Sequence, residues 1–92
     1  MDQAYYDDLA GRLMGALITL EDRLPPSDRR VVAEYLDYAE YGLALEHLAW
    51  ATGEAKIPIR ADERKQLLSI ARVMGIESSV AATLGGKPEE GQ

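Results

Sequence analysis

Apolar residues recur at three- and four-residue spacing along most of this chain and divide it into helices. Leu9, Leu13, Ala16, Leu17, Leu20 and Leu24 share one helical face, which predicts a long amphipathic helix from Ala4 to Leu24. Gly11 and Gly15 lie inside it, each at a cost of roughly 0.5–1 kcal/mol against alanine, and are expected to let a neighbouring helix come close. Pro25-Pro26 stop the helix, because the residue before a proline is pushed out of the helical region.

A second helix is predicted from an N-cap at Ser27 to about Ala39, with Asp28 favourably placed against the helix dipole. Its wheel turns Val32, Tyr35, Leu36 and Ala39 inward. Glu34, Asp37, Tyr38 and, if the helix continues that far, Tyr41 face outward. Gly42 marks the turn into a third helix, in which Leu45, Leu48, Ala49 and Thr52 continue the core stripe and Gly53 is the expected C-cap. Tyr35 and Trp50 are expected to be buried.

Lys56-Ile57-Pro58-Ile59 reads as an extended break and is the only strand candidate. A fourth helix is predicted from Ala61 to Met74, with Asp62 and Glu63 at its positive end, Leu67, Leu68, Ala71 and Met74 inward, and Gly75 at the C-terminal cap. A short fifth helix is expected to start at Ser78 or Ser79 and to end near Leu84, with Val80 and Leu84 as its apolar contacts. The sequence GGKPEEGQ, residues 85–92, reads as a disordered tail. The expected fold is therefore all-α. It is a single domain over residues 1–84, a small four-to-five-helix bundle with a short extended break near Ile57–Ile59.

Composition supports folding: 92 residues, 47% hydrophobic and 28% charged, describe one small globular domain rather than a disordered chain. The formal net charge of −6 argues against nucleic acid as a partner, since binding the phosphate backbone requires clustered Lys and Arg. A basic protein partner is easier to justify. The absence of cysteine excludes disulfides and thiolate chemistry, and the acidic start MDQAYYDDLAGR is unlike a secretory signal. No run of about twenty apolar residues is present to span a bilayer. A cytoplasmic protein is expected.

Catalytic candidates are few. His47 is the only histidine and reads as a helical side chain facing solvent; any catalytic site would have to be built around it with a nearby carboxylate. No Glu-x-x-His pair of the kind that holds metals in helical bundles occurs, and no glycine-rich phosphate loop follows a strand. No cofactor, no metal and no enzymatic activity are expected.

Charge is segregated instead. Between Val31 and Ala55 there are five acids, Glu34, Asp37, Glu40, Glu46 and Glu54, and no Lys or Arg, while Tyr35, Tyr38, Tyr41 and Trp50 lie in the same window. Most such acids only solubilise a small domain. Set beside outward aromatics, however, they form a surface suited to capturing a cationic protein, with aromatic anchors and electrostatic steering. Glu34, Asp37, Tyr38, Glu40, Tyr41 and Glu46 are the candidate contact residues, and Tyr38 and Tyr41 the candidate anchors.

The segment Glu40-Tyr41-Gly42-Leu43-Ala44-Leu45-Glu46, then Ile57-Pro58-Ile59, then the helix with Leu67-Leu68 and the closing Met74-Gly75-Ile76, resembles the MafI family of immunity proteins. The likeness covers roughly residues 31 to 77. It implies a small helical cytoplasmic protein that protects the producing cell by binding a cognate secreted polymorphic toxin domain. A basic, nuclease-type toxin whose active site is occluded by the acidic-aromatic face is the expected partner. A helical adaptor or regulatory subunit, homodimeric through Tyr38 and Tyr41, is the alternative.

Overall fold

A computed structural model describes residues 3–84, so the expected C-terminal tail at 85–92 lies outside the described residues. The described chain is all-α, with five α-helices: α1 (Gln3–Leu20), α2 (Pro26–Asp37), α3 (Tyr41–Glu54), α4 (Ala61–Val73) and α5 (Glu77–Leu84). The aliphatic stripes become the core as expected. Leu9, Leu13, Ala16, Leu17 and Leu20 of α1 meet Val32 of α2, Leu45 and Leu48 of α3, Leu67 of α4, and Val80 and Leu84 of α5. The central element is α3, which packs against α1, α2 and α5. Ile70, not assigned to the stripe of α4, is fully buried there, while Leu68 and Met74 are only half-buried.

The first helix is shorter than its apolar periodicity implies. It ends at Leu20, and a 3-10 turn over Glu21–Arg23 delivers Leu24 to the core. Gly11 and Gly15 face open space, so no neighbouring helix uses the room they leave. The second helix starts at Pro26 rather than after a Ser27 cap: the Pro25 carbonyl accepts the Arg29 N–H at 3.0 Å. Proline suits this first position because its missing N–H would have no partner in the helix anyway.

Three helices end in the same way. At the end of α2, the Glu40 N–H donates to the Tyr35 carbonyl at 2.8 Å and the Ala39 N–H to Leu36 at 3.1 Å. At the end of α3, Ile57 donates to Thr52 at 2.9 Å and Lys56 to Gly53 at 3.2 Å. At the end of α4, Ile76 donates to Ala71 at 2.9 Å and Gly75 to Arg72 at 3.1 Å. These are Schellman closures, which require a left-handed residue just past the helix. Gly75 fills that role in α4 with φ 77°, as the sequence predicts, but Ala39 (φ 59°) and Lys56 (φ 53°) fill the other two. Gly42 and Gly53 are therefore not turn residues: both lie inside α3. Ala39, expected on the core face of α2, is exposed in the turn.

A prediction follows from the strain of an L-residue in this conformation. Ala39→Gly should raise stability by about 1 kcal/mol, since glycine adopts positive φ without a Cβ clash. Urea denaturation checks the sign, which is opposite to the usual cost of a glycine.

The break at Ile57-Pro58-Ile59 stays irregular, and no strand forms among the described residues. Ile57 and Ile59 pack against the core. The Pro58 carbonyl accepts Arg23 Nη1 at 3.0 Å. The same guanidinium makes a two-pronged ion pair with Glu63, Nη1 to Oε1 at 2.9 Å and Nη2 to Oε2 at 2.8 Å. Glu63 Oε1 also accepts the Arg60 N–H at 2.9 Å, which closes the start of α4. The Arg23 hydrogen bonds, helped by the Arg60 N–H, hold the Glu63 carboxyl at about 2, against the opposing effect of its burial.

Candidate docking face on the α2–α3 hairpin

On α3, burial falls on Ala44, Leu45, Leu48, Ala49, Ala51 and Thr52. The opposite stripe is therefore Leu43, Glu46, His47, Trp50 and Glu54, spaced three or four residues apart down one side of the helix. Trp50 is 47% exposed and Leu43 46%, so the expectation of a buried tryptophan is corrected: the core stripe that buries Leu48 and Thr52 turns the intervening residue outward. Tyr35 is half-buried as part of the packed α2–α3 seam.

His47 is not a free surface side chain either. Its Nε2 lies 2.9 Å from Asp28 Oδ1, so the two helices of the hairpin are pinned together at this point. Its ring sits between two aromatics, 6.4 Å from the Tyr35 centroid and 5.3 Å from that of Trp50, both tilted. Packing and the Asp28 hydrogen bond together restrict the histidine, and the histidine in turn backs one side of the indole.

Of the sequence-derived contact residues, Glu34, Asp37, Tyr38 and Glu40 are exposed. Tyr38, at the end of α2, is 78% exposed, the most of any large hydrophobic side chain among the described residues. Glu46 is half-buried on the α3 stripe. Tyr41 departs from expectation. The turn at Tyr38–Glu40 makes it the first residue of α3, one turn before buried Leu45, so it rotates toward the core and stacks on Tyr6 of α1 at 6.4 Å. It braces the hairpin against α1 and does not stand beside Tyr38.

The hairpin thus exposes Tyr38, Leu43 and Trp50 as well as Glu34, Asp37, Glu40 and Glu54, leaves Glu46 half-buried, and contributes no basic residue between Val31 and Ala55. Glu46 and Glu54 make no ion pair or side-chain hydrogen bond with any described residue. The residues missed by the sequence reading are Leu43 as an exposed apolar contact and Asp28 as the partner of His47. Leu43 was legible, since it lies seven residues before Trp50 on the same helical face.

The surface cleft at the α4–α5 junction is a weaker candidate, because Arg72, its one cation, is already engaged by Glu77 at 3.1 Å. Among the described residues no group of three or more His, Asp or Glu is placed to hold a metal, and no helix is long and apolar enough to cross a membrane. The chain matches no family model, no curated protein and no solved structure.

Proposed function

We propose that this protein acts by stoichiometric binding, as an immunity protein that neutralises a cognate cationic toxin domain in the cytoplasm, without catalysis of its own. The observation that carries the reading is the α2–α3 hairpin: exposed Tyr38, Leu43 and Trp50 among carboxylates, in a stretch with no Lys or Arg between Val31 and Ala55. Interfaces take most of their binding energy from such aromatic anchors, and complementary charge accelerates encounter. The MafI-like pattern from Glu40 to Ile76 supports the same role. A nuclease-type domain fits best, because acidic side chains can occupy the basic groove that would otherwise receive phosphates.

The test is the rate of complex formation with a candidate cationic toxin domain from the same genome. Charge reversal at Glu34 and Asp37, both exposed, should slow association by about tenfold and flatten its dependence on salt, while dissociation changes little. Stopped-flow measurements across a salt series read both quantities. Association that is unchanged in rate and in salt dependence would show that this face is not used.

A further inference from the structure

We infer that Trp50 is the seat for an arginine side chain of the partner, with Glu46 and Glu54 as the carboxylates that clamp the guanidinium. The inference rests on the proposed binding role and names the chemistry of its central contact. Trp50 is half-exposed on the outward stripe of α3, and no cation lies over it among the described residues. Glu46 and Glu54 are one helical turn before and after it, where side chains on the same face are neighbours. Indole is the best cation–π surface among the side chains, and a planar guanidinium can lie flat on it while its N–H groups reach outward to a carboxylate.

The site is also held in place. His47 packs against the indole at 5.3 Å and is itself fixed by Asp28 on the neighbouring helix, which limits the rotamers Trp50 can adopt. A preorganised aromatic loses little freedom when it binds. Arginine is favoured over lysine because only its fork can stack on the ring and bond a carboxylate at once. A second copy of this chain is disfavoured as the occupant by charge, since each copy carries a formal net charge of −6.

Trp50 is the chain's single tryptophan, so its fluorescence reports on this site alone. Titration at physiological ionic strength with an oligo-arginine peptide should change its emission more strongly than an oligo-lysine peptide of equal length. The double variant Glu46→Gln/Glu54→Gln should weaken the arginine response by about fivefold with an unaltered circular dichroism spectrum. Equal responses to the two peptides, or an arginine response insensitive to the double variant, would overturn the inference. So would Trp50-dependent dimerisation on analytical ultracentrifugation.

A second arm uses the toxin domain. Trp50→Ala should weaken the complex by about thirtyfold, and Trp50→Phe by less, since a smaller ring retains part of the stacking. A wild-type complex that Trp50→Ala leaves intact removes the arginine seat but not the binding role. No wild-type complex at all removes both.

Discussion

Replacing Gly53 with alanine is expected to lower the stability of this domain by about 3 kcal/mol, although the same substitution in an open helix stabilises it. Gly53 lies inside α3 where α5 crosses it, and a Cβ there would fall on the Thr83 carbonyl oxygen, with the Leu84 carbonyl oxygen 3.4 Å away. Every obstructing atom is backbone of α5, so no side chain can turn aside to relieve it. The helix α5 must shift, carrying Val80 and Leu84 out of the core. For a domain of this size the loss corresponds to a fall in melting temperature of about 15 °C. Thermal denaturation of Gly53→Ala beside Gly11→Ala separates the causes, because Gly11 faces open space and its replacement should be neutral or stabilising.

The second large effect is electrostatic. Glu63 is 6% exposed, and its carboxylate is shared between the Arg23 fork and the Arg60 N–H. Glu63→Ala removes these charge-assisted bonds and should cost about 2 kcal/mol at neutral pH. The folded carboxyl titrates at about 2, against an ordinary value of 4.5. Because folding depresses this value, the stabilisation is complete above about 4.5 and is lost as the pH falls toward about 2. Urea midpoints measured down that range should drop steeply in the wild type and less in Glu63→Gln, which has no carboxyl to protonate. Parallel profiles would show that other carboxyls control acid unfolding.

These two residues mark where the sequence could be read and where it could not. Helix number and the core stripes were legible because three- and four-residue spacing and the prolines at positions 25, 26 and 58 are local signals. The Arg23–Glu63 pair was not, since it joins residues forty positions apart through the packing of α1 against α4. Gly53 looked like a helix stop because glycine commonly is one, whereas its small size serves a crossing that only the tertiary fold creates. Conversely, two real stops carry alanine and lysine, which conceals them from any reading that looks for glycine.

At the candidate site, Glu34, Asp37 and Tyr38 were legible as outward residues from the α2 wheel. Tyr41 was misplaced because its orientation depends on where one helix ends and the next begins, and the Schellman closure at Ala39 transfers it to α3. Trp50 was misplaced for a different reason. The stripe through Leu45, Leu48 and Thr52 puts it roughly 170° from the core direction, but the general tendency of tryptophan to be buried outweighed that periodicity. The distinction matters for function. It moves the aromatic centre of the surface from the hairpin turn to the middle of α3, between two carboxylates with no ion-pair partner among the described residues.

The most direct test of the proposed role is to co-express this protein with a candidate cationic toxin domain from its own genome, scoring cell survival and co-purification in the same culture, with Trp50→Ala as a second sample. Survival with a one-to-one complex for the wild type, and clearly reduced co-purification with the correctly folded variant, is the predicted result. Cell death and no complex with the wild-type protein, when the toxin domain is shown to be active, would contradict the account.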